Sequence, residues 1–182
     1  RVRRQRQMCK ETGLKEINIS PSVETIGDYA FCLCSDLKEI TISDAVSYIG
    51  KLAFHDCYSL SSIDVSSGNK SFVSVDGVLY NYDKTTLIKY PQGKSDKTFS
   101  VPEGVKRIEE RALNNAPYLE EAYISASVEE IGDLAFTVSD RLKAINVTSD
   151  NQHFTSDNGI LFTKDKSTLI CYPRNKTDIT SY

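Results

Sequence analysis

The sequence predicts a β-rich, right-handed solenoid of about six coils, with a parallel sheet along one face, short helical or 3₁₀ segments opposite and two β-hairpin insertions. Three observations carry that expectation. Apolar residues recur at a spacing of 23: Leu14, Ile17, Ile19, Val23, Ile26, Gly27, Ala30, Phe31 and Cys34 are answered by Leu37, Ile40, Ile42, Val46, Ile49, Gly50, Ala53, Phe54 and Cys57. A further copy opens at Leu119, runs through Ile124, Val128, Ile131, Gly132, Ala135 and Phe136, and hands over to Leu142. A longer period also exists, because sliding 14–95 onto 96–177 matches 31 of 82 positions without a gap. A unit this short cannot bury its own apolar face and must stack on its neighbours.

Each slot has a physical role in such a coil. The Ile-x-Ile pair shares one face of a strand by its period of two, and strands of successive coils pair in parallel. Val46 and Ile49 point back from the far wall. Gly50 marks a corner where a side chain would obstruct the turn or where positive φ is needed. Ala53-Phe54, framed by polar residues, predicts a short helical or 3₁₀ segment that sets the ring in the core. Phe31, Phe54 and Phe136 are expected in one column.

Residues 1–13 fit the register badly and are expected to be an irregular N-terminal segment, followed by the solenoid over 14–182. The cluster Arg1, Arg3, Arg4 and Arg6 reads as a solvated terminus. Coils start at Leu14, Leu37 and Leu60, and the third departs from the pattern. Asp76-Gly77 is a tight-turn dipeptide, and Asp83-Lys84-Thr85 is a second turn between Val78-Leu79-Tyr80 and Leu87-Ile88-Lys89-Tyr90. A β-meander is expected there in place of the coil's far side. Regular coil resumes near Asp96, with Phe99, Val101, Val105, Ile108, Ala112 and Leu113 in the slots. The hairpin text returns 82 residues later at Phe154, Gly159, Leu161, Asp165-Lys166, Leu169-Ile170 and Tyr172-Pro173. The array is read as two blocks, 14–95 and 96–177.

The A-F-x-x-C-x-x-L-x-x-I-x-I signature at 30–42 and 53–65 resembles the BspA-type leucine-rich repeat family, and so does the G-V-L-Y-N-x-D-K-T-x-L-I-x-Y-P hairpin text. The resemblance covers nearly the whole chain. It implies a surface or secreted protein of a host-associated organism, with adhesion or protein binding as its role rather than catalysis.

Composition narrows the function classes. With 182 residues, 40% apolar and 26% charged, the chain suits one solenoid domain. A net charge of −3 and an acidic pI argue against general attraction to nucleic acid or anionic lipid. No apolar run approaches the roughly 18–20 residues of a membrane span. The chain begins Arg-Val-Arg-Arg and shows no polar cap at its other end, which predicts a piece of a longer protein.

The chemistry-bearing residues read mostly as core. Cys34 and Cys57 share a slot that holds Ala116 and Ser139 in later coils, so it asks for a small, nearly apolar side chain. Stacked coils also leave a disulfide open there, and between Cys9 and Cys32. Cys171 matches Lys89 of the first block. An odd count of five cysteines argues against a full disulfide framework. His55-x-Cys57 is the one His/Cys pair close in sequence, and its two side chains should point to opposite sides. Neither His55 nor His153 lies in a nucleophile setting, and Gly27, Gly50 and Gly132 are single corner residues rather than a phosphate loop. No catalytic, cofactor or metal site is expected. Tyr80, Tyr82, Tyr90, Phe162 and Tyr172 on the hairpins read as cover for the adjacent core. The sequons at Asn18, Asn69, Asn146 and Asn175 are of the kind that arises by chance in a chain rich in Asn, Ser and Thr.

One candidate surface remains. Residues flanking the Ile pair should face outward on the sheet: Glu16 and Asn18; Glu39 and Thr41; Ser62 and Asp64; Glu121 and Tyr123; Asn146. This polar, acidic ladder is expected to meet a protein partner, such as a host extracellular-matrix or plasma protein or the surface of a neighbouring cell, in an extracellular or cell-surface setting. A structural spacer within a larger surface protein, or a glycan-binding surface, is the alternative.

Overall fold

The computed structural model describes Gly13 and residues 15–177. The readings made for residues 1–12 and for Leu14 therefore fall outside the described residues. The chain divides into two compact units, Arg1–Lys94 and Ser95–Tyr182, and each is a stretch of β-solenoid.

In the first unit the strands are β1 (Glu16–Asn18), β2 (Thr25–Ile26), β3 (Glu39–Ile42), β4 (Tyr48–Ile49), β5 (Ser62–Val65), β6 (Phe72–Val75), β7 (Val78–Asn81) and β8 (Thr86–Lys89). Strands β1, β3 and β5 form a parallel sheet in which Ile17, Ile40 and Ile63 stand side by side. Strands β2 and β4 pair in parallel on the far wall, Ile26 beside Ile49. Coils therefore stack in the 23-residue register, and the repeated slots fill the space between the walls. Leu37, Ile40, Ile42, Val46, Phe54, Cys57, Leu60 and Ile63 are all buried. Phe31 and Phe54 stack nearly parallel, with ring centroids 5.6 Å apart.

The segment around Ala53-Phe54 is not helical, and there is no helix of either kind among the described residues. Tyr29 and Leu33 flank Ala30-Phe31 at φ of 55° and 65°, and Leu52 and Asp56 flank Ala53-Phe54 at 52° and 57°. Left-handed residues at this spacing stop any helix. Instead, Ala30, Cys32 and Cys34 donate their N–H groups three residues back, to Gly27, Tyr29 and Phe31. The alternate groups of Tyr29, Phe31 and Leu33 donate to Lys51, Ala53 and His55 of the next coil, at 3.0, 2.8 and 2.9 Å. The physical reason is that a helix satisfies its backbone internally and offers nothing to a stacked neighbour. A run of tandem turns gives half its bonds to the next coil. Each left-handed residue costs about 1–2 kcal/mol, and the inter-coil bonds, each worth about 1 kcal/mol net, hold it in place.

Gly50 is required by space rather than by φ. A Cβ there would lie 2.4 Å from the Asp28 backbone nitrogen and 2.6 Å from the Gly27 carbonyl carbon. Gly77 is required by both, since it sits at φ 76° and its Cβ would lie 2.7 Å from Ser62 Oγ. With Asp76 at φ 50° it closes the hairpin in the manner of a type I′ turn. Strands β6, β7 and β8 form the antiparallel meander that the sequence predicts. The Gly77 carbonyl accepts the Ile63 N–H at 2.9 Å, so the hairpin tip covers the outer edge of β5.

The second unit repeats this plan with β9 (Thr98–Ser100), β10 (Arg107–Ile108), β11 (Glu121–Ile124), β12 (Glu130–Ile131), β13 (Ala144–Val147), β14 (Phe154–Asp157), β15 (Ile160–Thr163) and β16 (Leu169–Cys171). Strands β9, β11 and β13 are the parallel sheet, and β14–β16 the meander. Positive φ recurs at Arg111 and Asn115 and again at Leu134 and Val138. Gly159 O caps Ile145 N at 2.8 Å. The face of parallel strands thus comes as three-stranded patches, one per unit, each ended by a hairpin.

Candidate interaction surface

The outward residues of the strands are set by the pleat. In the first unit Glu16, Glu39 and Ser62 stand in one row, and Asn18, Thr41 and Asp64 in the next. In the second, Thr98, Glu121 and Ala144 form one row, and Ser100, Tyr123 and Asn146 the other. None of the nine residues singled out from the sequence is buried, whereas the apolar residues between them, Ile40, Ile63 and Ala122 among them, are enclosed. The structure brings Glu16, Asn18, Glu39, Thr41, Ser62 and Asp64 together on the first patch. Glu121, Tyr123 and Asn146 share the second.

The two patches differ electrostatically. Glu16 and Glu39 are direct neighbours across parallel strands, where like charges are unfavourable. Neither has an ion-pair partner among the described residues, and Asp64 accepts only the Ser62 hydroxyl, at 2.9 Å. Several carboxylates of the second unit, by contrast, have basic partners. Glu120 meets Lys143 at 2.6 Å and Lys97 at 3.7 Å, Glu129 meets Lys106 at 3.1 Å, and Glu130 meets Arg107. On the second patch Tyr123 is 40% exposed and donates its hydroxyl to Glu121 Oε2 at 2.5 Å. That bond and the adjacent negative charge push the phenol pKa up.

The cysteines behave as a packing slot. Cys57 is fully buried, its thiol donates to the Phe31 carbonyl at 3.0 Å, and burial pushes its pKa up to about 12. Ser139 occupies the same slot and makes the same bond to Leu113 O at 3.3 Å. Cys34 is buried too, and is disulfide-bonded as well as packed. Cys32, Cys57 and Cys171 form no disulfide, so neither the Cys34–Cys57 nor the Cys9–Cys32 bridge that the sequence leaves open is made. Among the described residues no group of three or more His, Cys, Asp or Glu side chains is placed to hold a metal ion.

Sequence reasoning overlooked two asparagines. Asn69 and Asn151 are 2% and 0% exposed, yet each is fully hydrogen-bonded. Asn69 Nδ2 donates to Ser43 O and Val46 O, and its Oδ1 accepts from the Ser71 and Phe72 N–H groups, all at 2.8–2.9 Å. Asn151 repeats the set with Ser125, Val128, His153 and Phe154. These amides bolt the root of each hairpin to the coil before it. The Asn69 sequon is accordingly closed to a glycan in the folded chain.

Repeat register, sheet patches and hairpins all match one family. A family model for the BspA type leucine-rich repeat region matches in six copies, over residues 5–95 and 93–165. The chain belongs to the BspA-type leucine-rich repeat family. Solved structures of similar repeat proteins include the pneumococcal vaccine antigen PcpA, 31% identical with a TM-score of 0.66 over 76% of this chain and 40% of that one. A leucine-rich repeat protein of Eubacterium ventriosum is 25% identical, TM-score 0.65, over 79% of this chain and 45% of its own. A leucine-rich cell surface protein of Faecalibacterium prausnitzii is 27% identical, TM-score 0.61, over 77% and 43%. The BspA-type chain thus spans less than half the length of these relatives. Among curated proteins none matches.

Proposed function

We propose that this chain is a non-enzymatic recognition module of a cell-surface or secreted protein, and that its strand patches bind a protein partner. The observation that carries the reading is the bare acidic row. Glu16 and Glu39 stand side by side with Asp64 nearby, uncompensated, in a chain that pairs Glu120, Glu129 and Glu130 with basic residues on neighbouring coils. An arrangement that is locally unfavourable in the free protein is suited to a basic partner. Tyr123 is the aromatic anchor of the second patch, with a ring already oriented by Glu121. The relatives that include a vaccine antigen and a cell surface protein support an extracellular setting.

The test is a binding screen against immobilised extracellular-matrix and plasma proteins, followed by Glu39→Lys and Tyr123→Ala. The expected result is a ligand whose affinity falls as salt shortens the Debye length from about 30 Å to about 8 Å, and which each variant weakens about tenfold or more. A ligand that binds both folded variants as tightly as the parent at low salt moves the site off the strand patches.

A further inference from the structure

The two strand patches hold different chemistry in the same slots. Glu121 occupies the slot of Glu39, but Tyr123 stands where the first patch has Thr41, Asn146 where it has Asp64, and Thr98 where it has Glu16. The first patch is therefore three carboxylates without a ring, and the second is one carboxylate beside one ring. Residues two apart on a strand share a face, and the Tyr123 hydroxyl reaches Glu121 Oε2 at 2.5 Å. The Asn146 side chain lies beside that hydroxyl. With its polar tip bonded inside the patch, what Tyr123 still offers a partner is its ring, 40% exposed.

Glu121 has capacity left as well. A carboxylate accepts through both oxygens, and the tyrosine bond uses only Oε2. Among the described residues Glu121 has no ion-pair partner, while Lys97 and Lys143, which precede the two flanking strands, both meet Glu120. An electron-rich ring face and an open carboxylate oxygen thus stand side by side on the exposed sheet. A cation over the ring is complementary to both groups. A neutral group would cover Glu121 without compensating its charge, and an anion would be repelled by it.

We infer that Glu121 and Tyr123 form an arginine subsite, so that the second patch selects an arginine side chain of the partner, whereas the first accepts either basic side chain. The inference rests on the strand-patch reading and adds which residue of the partner each patch takes. Guanidinium is planar and weakly hydrated; its face stacks on an aromatic ring while its forked N–H donors reach a carboxylate at the side. The ammonium of lysine is a strongly hydrated point charge that gains less from the ring. The chain makes the same kind of contact internally, where the Arg141 guanidinium carbon lies 5.7 Å from the ring centroid of Tyr118 on the neighbouring coil. Thr41 and its neighbours offer no such face, so nothing in the first patch distinguishes the two cations.

The experiment titrates the isotope-labelled full chain at low salt, where the Debye length is about 30 Å. The probes are acetyl-Ser-Arg-Ser-Arg-Ser-amide and its lysine and glutamine counterparts, each added up to about 10 mM. At Glu121, Tyr123 and Asn146 the arginine peptide is expected to bind about threefold or more tighter than the lysine peptide. At Glu39 and Asp64 the two should be equal, and the glutamine peptide should shift neither patch. Tyr123→Ala should bring the arginine peptide down to the lysine value at the second patch. Tyr123→Phe should keep the preference because the ring remains, and Glu121→Gln should weaken both cationic peptides there. Equal affinities at the second patch, or a preference that survives Tyr123→Ala, overturn the inference. Shifts confined to the first patch also overturn it, while the basic-partner reading stands. Silence at both patches overturns the two together.

Discussion

Replacing Gly50 by alanine tests whether coil spacing is fixed by backbone contact. The added Cβ would lie 2.4 Å from both the backbone nitrogen and the Oδ1 of Asp28. Ordinary contact begins about 1 Å further out, and the obstruction is mostly main chain. Moving it disturbs the Gly50 N–H bond to Ile26 O at 2.7 Å and the Lys51 N–H bond to the Asp28 carboxylate at 2.8 Å. Overpacking costs about 1–3 kcal/mol, and weakening these two bonds adds about 1 kcal/mol. The lower entropy of an unfolded alanine offsets about 0.4–1 kcal/mol. The expected loss is about 2 kcal/mol, or about 4–8 °C in Tm for a chain of this size. Gly27 occupies the same slot one coil earlier, and a Cβ there meets nothing within 4 Å. Gly27→Ala should therefore be neutral or stabilising by up to about 1 kcal/mol. Urea unfolding followed by circular dichroism measures both. Equal effects of the two substitutions would refute the argument that stacking, not turn conformation, selects glycine.

Two further predictions follow from buried polar groups. Asn69→Ala strands two carbonyls and two N–H groups at the hairpin root and should cost about 3–4 kcal/mol by the same unfolding measurement; Asn69→Asp should be comparably harmful at neutral pH and partly recover in acid, where a protonated carboxyl regains a donor. Cys57 should resist alkylation in the native chain and react once urea unfolds it. Its pKa rises from 9.0 to about 12 on folding, so its contribution to stability is complete below pH 9 and is lost as the pH climbs towards 12. Tyr80, pushed up to about 12 by burial, acts in the same direction. Cys57→Ser keeps the bond that Ser139 makes and should flatten the thiol's share of that alkaline loss.

The outward surface was legible in the chain because a strand alternates faces, so fixing Ile40 and Ile63 inward fixed Glu39, Thr41, Ser62 and Asp64 outward. Its electrostatics were not. Whether a carboxylate is paired depends on which residue sits beside it 23 positions away and on how far each side chain reaches. Glu120 found Lys143, while Glu39 found Glu16 and Ser62. Asn69 and Asn151 are identical across the 82-residue comparison, but a single polar residue in a loop carries no period to mark it as core.

The sequence by itself determined the 23-residue register, the 82-residue recurrence, the apolar slots and the Asp76-Gly77 hairpin. All of these follow from local conformational preference and from apolar surface leaving water, and both leave a periodic trace in residue type. Only the tertiary structure decided that the Ala-Phe segment is a run of tandem turns, because Tyr29, Leu33 and Leu52 have no intrinsic preference for positive φ. That conformation is selected by the hydrogen bonds each coil offers the next, and such bonds exist only once the coils are stacked.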